Sequence, residues 1–152
     1  MKRDQTESTP ETQLRSYIDR FDPKSQKLIR AVRTAVRKRF PTTNELAYDY
    51  KSFIVIGYSP TDHGIDAIVA IAARPTGVFL YFSQGPKLPD PKRILLGSGK
   101  QVRFIQLEAA SRLKHPEVEA LIAAAIEQAK VPLSAEGKGS LVMMSDAKKK
   151  KR

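Results

Sequence analysis

The chain has no cysteine and only two histidines among its 152 residues. Without a thiol it has no disulfide framework, no thiolate nucleophile and no zinc–thiolate site. No apolar run approaches the roughly 20 residues that a helix needs to cross a membrane, and no hydrophobic signal region follows Met1. We therefore expect a soluble protein in the cytoplasm, without a membrane partner.

Negative charge is also scarce, since 16 acidic residues stand against 27 Lys and Arg and leave a net charge of +11. This excess favours a polyanionic partner such as a nucleic acid. The hydrophobic content of 41% is enough for one core. We expect a disordered N-terminus over residues 1–8, a single domain over 9–133, and a polar, basic extension over 134–152 with a short edge strand at 141–144.

Capping signals followed by apolar stripes predict three helices. The first begins at Ser8 as its N-cap, with Glu11 in the position that completes a capping box. The second begins at the cap residue Asp22 and ends at about Arg39, ahead of a proline. The third covers about residues 115–131 and starts and stops at prolines.

Between these helices the apolar pattern takes the period of a strand. Short, partly β-branched runs predict strands at 53–58, 67–72 and 78–82, and alternation predicts a further strand at 102–107. A loop at 59–64 between the first two, and a type I turn at 74–77 between the second and third, predict an antiparallel meander. The segment 85–91 contains three prolines and is expected to cross the surface as a loop.

The segment Ile94–Gln101 has the Gly-Lys pair of a phosphate-binding P-loop but not its spacing. Ile94 stands where the first glycine belongs, and Gln101 stands where the magnesium-binding hydroxyl belongs. A P-loop also leads into a helix, whereas a strand pattern follows here. The central glycines are therefore interpreted as a tight turn. The alternative is a weak anion site of backbone amides and cations, formed by Gly97, Ser98, Gly99, Lys100 and Arg103.

This order of elements, with the segment from Leu88 to Phe104, resembles the YdhG-like family, a widespread domain of unknown function. The resemblance extends from about Thr12 to Lys130 and is most specific at residues 95–103. The block at 46–50 lacks the proline that follows it in many members, as a subset of the family would. The resemblance implies an α+β sandwich with the N- and C-terminal helices packed on one face of an antiparallel sheet. Some members are described as frataxin-like iron chaperones.

The iron activity that the resemblance implies needs clustered carboxylates or imidazoles. Frataxin-type proteins carry an acidic ridge on the first helix, but here Asp19 and Asp22 lie among basic residues that repel a cation. The best remaining cluster is Asp62, His63 and Asp66, whose composition is equally typical of a solvated loop. We predict neither a metal nor a cofactor.

Catalytic constellations are missing as well. No Gly-x-Ser-x-Gly elbow occurs, and His115 is expected to be a surface or capping residue at a helix start. Four tyrosines could line a pocket with Asp49, although aromatic residues in strands usually belong to a core; they are Tyr48, Tyr50, Tyr58 and Tyr81. We predict no catalytic residues and no enzymatic activity.

Two hypotheses for the function remain. The first is a non-enzymatic module that binds a polyanion through one face of the second helix, with Lys148 to Arg152 as an electrostatic arm. That face contains Lys27, Arg30, Arg33 and Arg37. The alternative for this face is simple solvation. The second hypothesis is a frataxin-like metal chaperone or small-ligand carrier, with the crossover at 88–91 as a lid over a cleft. A role in binding a protein partner is a further alternative.

Overall fold

The computed structural model describes residues 9–144. The expectations for residues 1–8 and for Lys148 to Arg152 lie outside this range. The helices are α1 (Pro10–Ile18), α2 (Pro23–Arg39) and α3 (Pro116–Gln128). The strands are β1 (Asn44–Asp49), β2 (Ile54–Ser59), β3 (Val69–Arg74), β4 (Gly77–Phe82), β5 (Arg103–Leu107) and β6 (Leu141–Met143). Within this part of the chain no helix is long and apolar enough to cross a membrane.

The helix starts follow local capping chemistry. The carboxylate of Asp22 accepts a hydrogen bond from the amide of Ser25 at 2.7 Å, so α2 begins as predicted and ends at Arg39. The prediction that Ser8 caps α1 is wrong. The cap is Thr9, whose hydroxyl accepts a hydrogen bond from the amide of Thr12 at 3.1 Å.

The six strands form one sheet in the order β5-β4-β3-β2-β1-β6. Strands β1 to β5 pair antiparallel with their sequence neighbours, and only β6 lies parallel to its neighbour β1. The predicted α+β class and the meander are confirmed. Strand β1 was not predicted, because Asn44, Glu45 and Asp49 interrupt its apolar alternation.

One face of the sheet and the three helices enclose the core. Ile29 and Val32 of α2 and Val118 of α3 pack in one cluster with Ile56 of β2 and Leu80 of β4. Each of these side chains is at most 1% exposed, and such burial contributes roughly 1.5–3 kcal/mol per side chain. Alternate residues of the same strands lie on the opposite face of the sheet, which we call the open face.

The predicted edge strand is present as β6, and the domain therefore extends past the expected boundary at residue 133. The amide of Ser140 donates to the Asn44 side chain at 3.0 Å, and the amide of Met144 donates to the carbonyl of Ala47 at 2.7 Å. The amide of Glu45 also donates to the carbonyl of Ser140 at 2.9 Å, so Leu141–Met143 continues the sheet beside β1 through backbone hydrogen bonds.

We expect the substitution Gly139→Ala to detach β6 from the sheet. An added Cβ at this position meets the backbone carbonyl of Thr43, which cannot move without breaking β1. Hydrogen exchange should then show loss of protection at the amide of Met144. The neighbouring change Lys138→Ala is the control, and equal protection in both variants would contradict the close approach.

Candidate functional site

The predicted polyanion face of α2 is largely occupied by carboxylates of the same chain. Arg30 lies 3.1 Å from Asp19, and the guanidinium of Arg33 donates to Glu11 at 3.1 and 3.0 Å. Arg37 completes the group, at 3.9 Å from Glu11. Of the four predicted residues only Lys27 makes no ion pair within residues 9–144. Three of these cations therefore serve the fold.

A buried carboxylate holds this group to the sheet. Glu45 of β1 is only 4% exposed and accepts hydrogen bonds from Arg33 at 2.9 and 2.8 Å. The hydroxyl of Tyr58, which is fully buried, donates to the same carboxylate at 2.6 Å. We call Glu11, Arg33, Arg37, Glu45 and Tyr58 the polar cluster. It ties α1 and α2 to β1 and β2.

Burial and pairing in the polar cluster fix its charge states. Burial, followed by the charge of Glu45, raises the pKa of Tyr58 well above its ordinary value of 10.0. Burial alone would lower the pKa of Arg33, but hydrogen bonds to Glu45 and Glu11 outweigh it and raise that pKa. The phenol is therefore neutral and the guanidinium charged in neutral solution.

The polar cluster should make stability fall in acid. The hydrogen bond from Arg33 lowers the pKa of Glu11 below its ordinary value of 4.5. Because the folded pKa is depressed, this contribution is present above pH 4.5 and is lost as the pH falls through the folded pKa. We expect the gap in unfolding free energy between wild type and Glu11→Gln to shrink over that window in denaturant titrations. A gap that stays constant with pH would contradict this linkage.

A second candidate surface lies on the open face of the sheet. Its centre is a groove of about 240 Å³, and Gly57, Ala70 and Ala72 are the small residues of its floor. Tyr48 of β1 and Tyr81 of β4 stand at the two sides of this floor. Strands β2 and β3 separate the two rings, so the floor between them is two strands wide. We call this feature the open-face groove.

Each wall of the open-face groove continues into an aromatic stack. On the β1 side, the ring of Tyr50 lies 6.0 Å from Tyr48 and 4.9 Å from Phe53, with interplanar angles of 10° and 20°. On the β4 side, the rings of Tyr81 and Phe104 lie 5.0 Å apart at 22°. Rings at these spacings are within stacking range. Tyr50 is 39% exposed, so an aromatic surface faces outward here.

A single arginine lies at one end of the open-face groove. Arg74 ends β3, and its guanidinium carbon lies 4.1 Å from the ring centroid of Phe53. This distance is that of a cation–π contact. Within residues 9–144 Arg74 makes no ion pair with a carboxylate. Its charge is therefore available to an anion at the groove.

The predicted anion turn borders the same face. Leu96 and Phe104 exchange backbone hydrogen bonds at 2.7 and 3.1 Å, which close the loop between them. Gly97 has a φ of +101°, and a Cβ there would lie 3.0 Å from the Phe104 ring. Gly97 thus has the positive φ that a turn glycine needs, but residues 97–99 do not form the predicted tight turn, because a longer loop, 97–103, separates the paired residues Leu96 and Phe104. Arg103 donates to the carbonyl oxygens of Gly99 and Val102.

This loop exposes Ser98, Gly99 and Lys100. Lys100 lies three residues before β5, the edge strand of the sheet that contains Phe104. The crossover before it is anchored rather than free: the Asp90 carboxylate accepts from the amides of Ile94 and Leu95 at 3.0 and 2.9 Å, and Leu88 is buried. The lid role of this crossover stays a prediction.

The predicted tyrosine pocket divides between the two faces of the sheet. Tyr48 and Tyr81 line the open-face groove, whereas Tyr58 lies in the core. Asp49 does not join them, because it pairs with Arg20 of the helical side at 2.8 Å. The open face thus has aromatic rings and an arginine but not the carboxylate that the sequence suggested.

The loop at residues 62–66 does not bring its acidic groups and histidine together as ligands. Asp62 lies 3.4 Å from His63, while Asp66 accepts a hydrogen bond from Thr61 at 2.9 Å. No group of three or more His, Cys, Asp or Glu side chains between residues 9 and 144 is arranged to hold a metal ion.

Sequence reasoning missed Phe53, Arg74 and Phe104 as surface residues. Each lies in an apolar run or at its end and reads as core or turn. The available signal was period-2 alternation, which places them on the face opposite the core residues Ile54, Ala73 and Ile105.

Comparisons with family models, with curated proteins and with solved structures give no match to this chain.

Proposed function

We propose that this protein is a non-enzymatic, cytoplasmic module that binds single-stranded nucleic acid on the open face of its sheet. The observation that carries the proposal is the open-face groove, with stacked aromatic rings on both sides of a floor of small residues and Arg74 at its end. A resemblance to the YdhG-like family is compatible with this proposal and does not specify it.

The aromatic rings supply the part of the interaction that concerns bases. Bases of single strands stack on exposed aromatic side chains, and each such contact is worth about 1–3 kcal/mol. The groove holds about 240 Å³, below the roughly 300–1,000 Å³ typical of pockets for drug-sized ligands. We place one base on the floor between Tyr48 and Tyr81. Tyr50 and Phe104, which stack on these two rings, extend the aromatic surface to either side.

Basic residues around the open face supply the part that concerns phosphates. Arg74 lies at the groove, and two further cations are exposed in neighbouring loops, Lys51 after β1 and Lys100 before β5. The net charge of +11 draws a polyanion toward the protein from a distance. The helix face is the weaker candidate for this role, because Arg30, Arg33 and the nearby Arg37 already have carboxylate partners.

Probes with and without unstacked bases distinguish binding of bases from general attraction to anions. Fluorescence anisotropy with the full chain should show binding of single-stranded DNA and RNA of roughly 12 nucleotides. Duplexes of the same length and inorganic polyphosphate should bind much more weakly at equal salt, since neither offers an unstacked base. Equal affinity for polyphosphate and single strands would contradict the proposal. The ratio of RNA to DNA affinity identifies the preferred strand.

Removal of Lys148 to Arg152 should weaken binding without abolishing it. The slope of log affinity against log salt is about −0.7 per phosphate contacted on a single strand. Loss of five positive charges should make this slope shallower, while the preference for single strands over polyphosphate remains. A truncated chain that no longer distinguishes the two probes would place recognition in the tail instead of on the sheet.

A further inference from the structure

A second cavity lies on the helical side of the sheet, away from the open-face groove. It holds about 400 Å³ and is bounded by the last turns of α2, strands β3 and β4, and the segment that leads into α3. This volume is within the roughly 300–1,000 Å³ typical of small-molecule sites. Its floor is formed by Val69 of β3 and Leu80 of β4, which are core residues.

The walls of this cavity are apolar. Besides the floor, they consist of four side chains that are at most 8% exposed, namely Val36, Phe40, Leu113 and Ile122. Nothing in this set donates or accepts a hydrogen bond through its side chain. A ligand that enters this far must therefore present hydrocarbon to the protein.

The mouth of the cavity is positively charged. Lys38, Arg39 and Lys114 line it together with a single acid, Glu119. Arg39 and Glu119 neutralise each other, because the guanidinium donates to both carboxylate oxygens at 3.2 and 2.8 Å. Lys38 and Lys114 are exposed, and neither makes an ion pair with another residue of the described range 9–144. Two ammonium groups are thus left beside an apolar cavity.

We infer that this cavity binds an amphipathic monoanion, a medium-chain carboxylate, with its hydrocarbon tail against Val69 and Leu80 and its head group between Lys38 and Lys114. The hydrocarbon gains by leaving water, and the carboxylate stays at the mouth, where ammonium groups pair with it while solvent still reaches it. The site is separate from the open-face groove, so it stands whether or not the chain binds nucleic acid.

Calorimetric titration of the full chain with monomeric decanoate tests this inference. Decanoate should bind saturably with one site, while decylamine, which has the same tail and the opposite charge, should bind at least about tenfold more weakly. Decanol should lie between them. The absence of saturable decanoate binding, or equal binding of decylamine, overturns the inference.

Variants of the mouth and of the cavity locate the site. The double change Lys38→Ala with Lys114→Ala should weaken decanoate binding about tenfold or more, whereas the matched pair Lys24→Ala with Lys27→Ala, at the other end of α2, should leave it unchanged. Ala35→Trp should fill the cavity from its rim and remove binding. If both lysine pairs have the same effect, the carboxylate binds elsewhere. The lysine pairs decide this even if the tryptophan variant does not fold.

Discussion

Replacement of both Tyr48 and Tyr81 by leucine is expected to weaken binding of a single-stranded oligonucleotide by roughly 30-fold or more. Leucine retains an apolar side chain but offers no ring on which a base can stack. The two tyrosines line the groove from opposite sides, so the variant loses the stacking surface on both. Anisotropy titrations of wild type and variant at the same salt concentration measure the effect.

The charge at the open-face groove has a matched control on the helical side. Arg74 stacks over Phe53 at 4.1 Å, and Arg20 lies over Tyr17 at 5.1 Å on α1. Arg74→Gln and Arg20→Gln each remove one charge and one cation–π contact, and Arg20→Gln also removes the ion pair with Asp49. Only the first is expected to reduce affinity beyond the loss of one unit of net charge. Equal effects of the two substitutions would show that total charge, and not the groove, governs binding.

Removal of the buried carboxylate is expected to cause the largest loss of stability. Glu45→Ala leaves the Tyr58 hydroxyl without its acceptor and leaves Arg33 with Glu11 alone. Loss of one partner from a buried ion pair costs about 3–5 kcal/mol, which lowers the melting temperature by roughly 10 °C in a domain of this size. Chemical denaturation and thermal unfolding both measure this loss.

The exposed pair between Arg39 and Glu119 is the control for this substitution. Its guanidinium binds both carboxylate oxygens, as in the buried pair, but its side chains are 37% and 46% exposed. Water already solvates such groups, so Glu119→Ala should cost only about 0–1 kcal/mol. Similar losses from the two glutamate substitutions would contradict a structural role for the polar cluster.

Local chemistry explains which parts of the fold could be predicted from the sequence. The cap at Asp22 depends on an amide three residues along the chain. Strands β2 to β4 show short, partly β-branched apolar runs, and β5 shows alternation. The pairing of Arg33 with Glu11 joins residues 22 apart, and that with Glu45 joins residues 12 apart. The sequence alone therefore suggested that the basic face of α2 is unpaired, although carboxylates from other elements form ion pairs with it.

The open-face groove was hidden for a different reason. Its residues are spread over four strands and come together only through the register of the sheet, which places Tyr48 beside Val55 and Ala70 beside Tyr81. Each strand alone shows small or aromatic residues that suit a core equally well. The helices pack on one face of the sheet and form the core there. The aromatic rings therefore line the opposite face.

Chemical-shift mapping with oligothymidylate tests most directly whether the open face is the binding surface. In a ¹⁵N-labelled full chain, the amide resonances of Ala72, Arg74 and Tyr81 should shift in a saturable way. The amide resonances of residues 27–37 on α2 should not change. Shifts concentrated on residues 27–37, or no saturable shift on the sheet at low salt, would contradict the proposed binding of single-stranded nucleic acid to the open face.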